Sequence, residues 1–278
     1  MKIALVQQHA AADKSDNIRR GLEGVDRAAT AGADVVAFAE LAFERFHPQR
    51  PADGDPLRLA EPVPGPMTEA FAERARRHGV VIVLNLYERD GRQAYDCSPV
   101  IDADGRLLGR TRMIHITDYA CFHEQGYYTP GDTGAPVYET KKGRIGVAIC
   151  YDRHYPEYMR AMAIGGAEVV VVPQAGAVGE WPEGLYEAEM RVAAFQNGYY
   201  VALCNRVGEE DCLTFGGESF VCAPDGQVIA RAAAMEDTIL YADLDLAATA
   251  RSHARRLFLR DRRPDLYADW IAPAGVTR

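Results

Sequence analysis

The chain has 278 residues, 48% of them hydrophobic, which is enough to bury a large core without disulfide or metal staples. Its formal charge of -9 repels polyphosphate and gives no basic footprint for nucleic acid, and no apolar run is long enough to cross a membrane. Six cysteines, at positions 97, 121, 150, 204, 212 and 222, form no C-x-x-C pair and no metal-spaced cluster with histidine, so free thiols in the cytoplasm, with no metal and no cofactor, are expected.

Residues 2–7 (KIALVQ) read as a buried strand, and the opening MKIALVQQHA, with one lysine and a short apolar run, is not expected to act as an export signal. Ile18, Leu22, Val25 and Ala29 recur at helical spacing over 16–31, and DVVAF at 34–38 is a second strand, so the chain opens with a β-α-β unit of parallel strands. Glu40 stands just past the carboxyl end of that second strand. Residues 48–66 read as a Pro- and Gly-rich loop and 67–78 as helix. The run VVIVLNLY at 80–87 predicts one further strand, and 94–101 with 106–113 predict a hairpin about Asp104-Gly105. Residues 114–136, rich in Tyr, His and Gly, form a connection of the length that usually carries function. A second hairpin pairs 137–140 with 145–149, and its last strand runs into Cys150, ahead of a helix over 155–164. Strand 168–172, helix 185–197 and strand 199–204 repeat the alternation, and strands near 218–223, 227–231 and 238–243 complete it. No linker separates two composition regimes, so residues 1–278 are expected to form a single domain.

A cysteine after an apolar strand is, taken alone, most often an inert core thiol. Cys150 is distinguished by its place. At the carboxyl end of a strand, before a helix, a side chain projects into the crevice where α/β proteins bind ligands, and the first free N–H groups of the helix point at it. Such donors stabilise a thiolate and a developing oxyanion alike. A thiol nucleophile also needs a base, and a carboxylate in an apolar pocket can have its pKa raised to suit; Glu40 is placed for this, although taken alone it reads more readily as a surface glutamate capping the next helix. Arg153 and His154 are candidates to recognise a substrate carboxylate, or else polar residues at a helix start bonded to nearby loops. His115 reads as a structural anchor. Trp181 and the Tyr127-Tyr128 pair line a pocket or simply pack. The sequence has no G-x-S-x-G, Walker loop or G-x-G-x-x-G, which leaves serine-hydrolase, nucleotide and dinucleotide readings without support.

Three ordered segments, AFAE at 37–40, FHEQGYYTPGD at 122–132 and IGVAICYDRHYPE at 145–157, resemble the motifs of the nitrilase, or carbon–nitrogen hydrolase, superfamily. The resemblance continues through GAE at 166–168, RVAA at 191–194 with Asn197, NRVG at 205–208, APDG at 223–226 and RDRRPDLY at 260–267, and so covers nearly the whole chain. It implies an α/β fold, a four-layer α-β-β-α sandwich with mixed sheets, that assembles as a homodimer or larger homo-oligomer, with the tail 257–278 used in oligomer contacts. It implies Cys150 as nucleophile, Glu40 as general base, Glu124 as a second glutamate orienting the substrate, and the Tyr151 backbone N–H as an oxyanion donor. The cysteine attacks a carbonyl or nitrile carbon, ammonia or an amine leaves, and water hydrolyses the thioester. The CYDRH, NRVG and RDRRP stretches look most like the N-carbamoyl amino acid or amine amidohydrolases, including β-ureidopropionase and N-carbamoylputrescine amidase. The expected partner is thus a small-molecule amide, carbamoyl compound or nitrile.

One position departs from the pattern. The superfamily places a catalytic lysine in a stretch like Gly-x-Tyr-Arg-Lys-x-His, whereas residues 109–115 read GRTRMIH and put Met113 there. Methionine has neither charge nor donor, and losing one oxyanion donor typically costs about 3 kcal/mol of transition-state stabilisation. Arg110 and Arg112 fall on the opposite pleat face and Lys141 and Lys142 in a hairpin turn, so no neighbour substitutes. The resemblance therefore implies an impaired hydrolase, with a nitrilase making acid from a nitrile, or a catalytically inactive binding or regulatory protein on the same scaffold, as the alternatives.

Overall fold

The structure, a computed structural model, describes residues 1–271. From the amino terminus, β1 (Lys2–Gln7) leads through α1 (Lys14–Thr30) to β2 (Val35–Phe38), and α2 (Pro66–His78) leads to β3 (Val81–Val83) and β4 (Leu86–Asp90). The hairpin of β5 (Gln93–Ile101) and β6 (Leu107–Arg112) closes the first half. The second half runs β7 (Val137–Thr140), β8 (Gly143–Val147), α3 (Pro156–Ile164), β9 (Val169–Gln174), α4 (Leu185–Asn197) and β10 (Tyr200–Asn205). A short ribbon of β11 (Val207–Glu209) and β12 (Thr214–Gly216) is followed by β13 (Phe220–Cys222), β14 (Val228–Arg231), β15 (Thr238–Asp243), α5 (Ala247–Arg251) and α6 (Pro264–Ile271).

One sheet has the order β15-β1-β2-β3-β5-β4 with β6 also on β5, and the other the order β14-β13-β10-β9-β8-β7. β1, β2 and β3 are parallel to one another, as are β8, β9 and β10, while the remaining pairs are antiparallel. The sheets meet where β1 and β2 face β9 and β10; α1 and α2 cover the outer face of the first sheet, and α3 and α4 that of the second. This is the four-layer α-β-β-α arrangement. The sequence of β9 reflects it: Val169 and Val171 pack into the inter-sheet core, Val170 and Val172 against α3 and α4, and a strand covered on both faces reads as an unbroken apolar run. The helix ends follow local chemistry. α1 starts where the Asp13 carboxylate accepts from the Ser15 N–H at 2.8 Å, and α2 stops at Gly79, whose φ of 67° is a left-handed conformation that glycine adopts without strain.

The expected strand over 80–87 is interrupted. Asn85, fully buried, turns inward: its side chain accepts from the Leu41 N–H at 2.7 Å and donates to Asp96 and Ser98, which breaks the run into β3 and β4. The β11–β12 ribbon was not anticipated, because each strand is only three residues long. Among the described residues, no helix is long and apolar enough to cross a membrane. Within the tail expected to serve oligomer contacts, Leu257, Phe258 and Leu266 are exposed, and residues 272–278 lie outside the described residues.

Candidate active site

The carboxyl ends of the central parallel strands of both sheets converge on one buried spot. Past β8, Cys150 adopts φ 42°, a left-handed conformation that costs a side-chain-bearing residue about 1–2 kcal/mol, and a single tight turn, Cys150–His154, follows. Such strain persists only where the surroundings over-determine it. Here Gln174, at the end of β9, donates from Nε2 to the Cys150 Sγ at 3.1 Å. Arg153 Nη1 donates to both the Cys150 carbonyl and Gln174 Oε1, each at 3.0 Å, and its guanidinium lies 4.5 Å from the centre of the Tyr186 ring. Asp152 accepts from the backbone N–H groups of Ile114 and His115 and contacts His115 Nδ1 at 2.6 Å, while the His115 ring stacks on Tyr155 at 3.4 Å. His115 is thus the anchor expected of it, tying residues 113–115 to the cysteine turn. Tyr151 is the second residue of that turn, where a backbone N–H has no partner within the turn.

Glu40 follows β2 on the facing sheet. It is fully buried, receives no backbone, amide or cationic donor, and meets only the ionisable Asp96 and Cys150 side chains, with which it can pair only by sharing a proton. Burial and the nearby Glu124 push its carboxyl up to about 7, against the opposing pull of Asp96 and Cys150. Glu124 is likewise fully buried, holds one oxygen 3.4 Å from the Thr117 N–H, leaves the other unpaired, and is raised by burial and by Asp96. Asp96, on β5, receives the Asn85 amide at 2.5 Å, leaves its second oxygen unpaired, and is raised by burial and by Glu40. The Tyr128 hydroxyl, buried and unpaired, feels all three carboxyls. Burial, followed by Glu40 and Glu124, pushes the Cys150 thiol up, so it rests protonated and must lose its proton as it attacks.

Met113, directly after β6, is fully buried in the core cluster that contains Cys150 and Ala39. Its N–H donates to the Asp96 carbonyl at 2.9 Å and its carbonyl accepts from Gly131 at 2.7 Å. The cations nearby are committed elsewhere. Arg112 grips Glu88 with Nε and Nη2 at 2.8 and 2.7 Å and also meets Asp90 and Asp132, and Arg110 bonds the Val63 carbonyl and Glu88. Lys141 pairs with Asp104 and Lys142 with Asp34. Arg206, the arginine that acts on Glu40, spends its guanidinium on the backbone carbonyls of Glu40, Leu41 and Glu44 and on the Glu210 carboxylate.

Two further expected residues, His154 and Trp181, lie side by side. His154 Nδ1 contacts Glu189 at 2.6 Å, and its ring stands 5.0 Å from Tyr151 and 5.2 Å from Trp181. Trp181 borders a cavity of about 400 Å³ shared with Tyr186 and Asn205, whose lining does not include Cys150. Glu180 closes that side, accepting from the hydroxyls of Tyr119 and Tyr186 and from the Ala177 N–H. Sequence reasoning missed Asp96, Asn85 and Gln174. The available signal was weak: a lone polar residue inside or at the end of an otherwise apolar strand.

The carbon–nitrogen hydrolase family model matches residues 2–254. The chain belongs to the carbon–nitrogen hydrolase family. Like other members, this carbon–nitrogen hydrolase has a similar plant relative, the N-carbamoylputrescine amidase of Solanum lycopersicum, 35% identical over 282 aligned positions that cover 95% of this chain and 93% of that one. Its fold superposes on the carbon–nitrogen hydrolase of Helicobacter pylori G27 with a TM-score of 0.91, at 29% identity and covering 98% of this chain and 99% of that one. A mutant amidase of Nesterenkonia sp. AN1, at 26% identity and TM-score 0.82 over 97% of this chain and 99% of that one, carries acrylamide added at its active-site cysteine.

Proposed function

We infer that the chain hydrolyses a non-peptide C–N bond through a covalent intermediate on Cys150, with Glu40 as general base and Glu124 orienting the substrate. The observation that carries this reading is the pairing of a strained cysteine corner with a fully buried carboxyl that is in hydrogen-bonding contact with the thiol and poised near neutrality. Glu40 takes the thiol proton as the sulfur attacks and returns it to the departing nitrogen; it then takes a proton from the water that cleaves the intermediate. The Tyr151 backbone N–H, at the start of the turn, faces the developing charge. Arg153 holds the Cys150 carbonyl and Gln174, which fixes the corner; His154 and Trp181, beside Tyr151, are read as contacts for the remainder of the substrate. By likeness to the relatives, the substrate is an N-carbamoyl amine, an N-carbamoyl amino acid or a small amide.

Met113 sets the limit on that chemistry. Attack on a neutral carbonyl builds an oxyanion, and three carboxyls with no lysine beside them oppose it. Turnover of neutral amides and carbamoyl compounds by this chain is therefore slow. Met113→Lys is expected to raise it by about 10²- to 10³-fold, the worth of one oxyanion donor. The assay is ammonia or amine release together with intact-mass detection of an adduct that disappears in Cys150→Ala. A Met113→Lys protein that stays folded and yet forms no adduct and no product would sink the reading in favour of a binding protein.

Assembly as a homodimer draws support from the apolar side chains of Ile164, Val192, Phe195, Leu257 and Phe258, exposed on α3, α4 and the segment after α5. A monomer in light scattering at micromolar concentration would remove it. Six free cysteines, four of them buried, suit a reducing cytoplasm.

A further inference from the structure

We propose that the substrate of this site carries its own positive charge on the reacting carbon, as an amidinium or guanidinium group, and that Glu40, Asp96 and Glu124 grip its N–H edges in place of a protein cation. The proposal rests on the reading of Cys150 as nucleophile and puts a cationic C–N substrate in place of the neutral amide or carbamoyl compound.

The starting point is a surplus of unsatisfied acceptors. Glu40, Asp96 and Glu124 are each at most 1% exposed, yet no backbone, amide or cationic donor reaches either oxygen of Glu40 or one oxygen each of Asp96 and Glu124; Glu40 meets only Asp96 and the Cys150 thiol, by shared protons. Glu40 is in hydrogen-bonding contact with both Asp96 and the Cys150 thiol, the Met113 N–H bonds to the Asp96 carbonyl at 2.9 Å, and Glu124 and the Tyr128 hydroxyl act on the same groups, which places the carboxyls and the thiol at one locus. Buried carboxyls left without donors are costly, and a protein keeps them where a ligand completes them. The residues around the locus do not. Arg206 faces the backbone of Glu40 rather than its carboxylate, Arg153 holds the Cys150 carbonyl and Gln174, and Arg112 belongs to Glu88. Met113 presents a thioether. A metal ion does not fit either, since among the described residues no group of three His, Cys, Asp or Glu side chains is spaced to hold one.

A planar cation with several N–H donors is the complement of such a set. Amidinium and guanidinium groups offer their donors in a fixed plane, two to a carboxylate, and keep their charge at any physiological pH. They also remove the need for the missing lysine. When a thiolate adds to a neutral amide, negative charge appears on oxygen and needs a donor. When it adds to an amidinium, the C=N electron pair moves onto nitrogen and the tetrahedral adduct is neutral. Carboxylates that would oppose the first reaction favour the second.

The steps balance without any co-reactant but water. Glu40 takes the thiol proton, the S–C bond forms, and Glu40 then gives the proton to one nitrogen, which leaves as ammonia or amine while the cationic S-alkyl thioimidate remains on Cys150. Water adds to that carbon with Glu40 again accepting its proton. The S–C bond breaks, the thiol is reprotonated, and an amide, or a urea from a guanidine, departs.

The test compares two nearly isosteric alkylating agents, 2-chloroacetamidine and 2-chloroacetamide, on the full chain near neutral pH. Each rate is divided by that of the same agent with 2-mercaptoethanol. The labelled residue is read by peptide mapping, because Cys212 is exposed and will react as well. The expected result is saturable labelling of Cys150 by the amidine, with a normalised rate about 10- to 100-fold above that of the amide, the factor that hydrogen bonds to charged groups supply. Met113→Lys, which keeps Cys150, is expected to reverse the order. An equal or opposite preference in the unmodified chain overturns the cationic substrate and leaves the nucleophile standing. So does turnover of neutral amides by the unmodified chain at the rate of Met113→Lys. Failure of both agents to label Cys150 overturns the nucleophile itself, and this proposal with it.

Discussion

Replacing Glu40 by Gln keeps the side chain's size and removes its ability to ionise, so the change isolates what one buried carboxyl contributes as pH varies. The Glu40 carboxyl is raised from 4.5 to about 7 in the folded protein, chiefly by burial and then by Glu124. A group raised on folding stabilises most when protonated in both states, below its unfolded value, and that stability is lost as pH rises toward the folded value. With these two values stability falls by roughly 2 kcal/mol between about pH 5.5 and about pH 8. Asp96 and the Cys150 thiol, both raised in part by Glu40, are relieved in the variant, which moves the difference in the same direction. In urea unfolding monitored by circular dichroism, the difference between Glu40→Gln and the parent should therefore shift in favour of the variant by about 2 kcal/mol across that window. The variant should also lose about 10²- to 10⁴-fold in any Cys150-dependent turnover, since an amide cannot take the thiol proton. Parallel stability profiles for the two proteins across the window would refute the picture of a buried, proton-holding carboxyl at the end of β2.

Gln174→Leu removes the donor to the Cys150 sulfur and the acceptor of Arg153 Nη1, leaving a buried guanidinium with fewer partners. A loss of about 1–3 kcal/mol in urea unfolding is expected, with slower alkylation of Cys150; an unchanged midpoint and rate would show that the corner does not depend on this amide. Asn85→Leu strands the Leu41 N–H and takes the donor from Asp96 and Ser98, so a destabilisation of about 2–4 kcal/mol is expected by the same measurement. A change below about 0.5 kcal/mol, the usual surface-substitution range, would mean that the break between β3 and β4 is not held by this side chain.

Much of the fold was legible because the covered strands write themselves as apolar runs. VVVV in β9 and the alternation around α1 and α2 leave little choice of structure, and the Cys150 corner follows from a strand running straight into a turn. The Glu40 and Glu124 positions could be read as well, from motifs that resemble a known family. Asp96 and Asn85 were not, and the reason is physical. Each is one polar residue in an apolar strand, and its meaning depends on which residue stands opposite across the sheet. Asn85 matters because Leu41 and Asp96 are both within reach of its amide, a relation among three segments that no single window of sequence contains. Gln174 has the same difficulty, since only the docking of β9 beside β8 brings its amide to the sulfur. The interrupted strand at 80–87 is a further instance, in which burial on both sides outlasted the regular ladder.

Arg206 has a consequence for how the protein comes to life. It is rooted just past β10, in the second sheet, yet it clasps the backbone carbonyls of Glu40, Leu41 and Glu44 at the edge of the first. The base and the nucleophile therefore belong to different halves of the chain, and the buckle between those halves closes on the very residue that carries the base. Either half alone, or a chain whose sheets have not docked, lacks the base beside the nucleophile, so catalysis through this site requires both sheets in place.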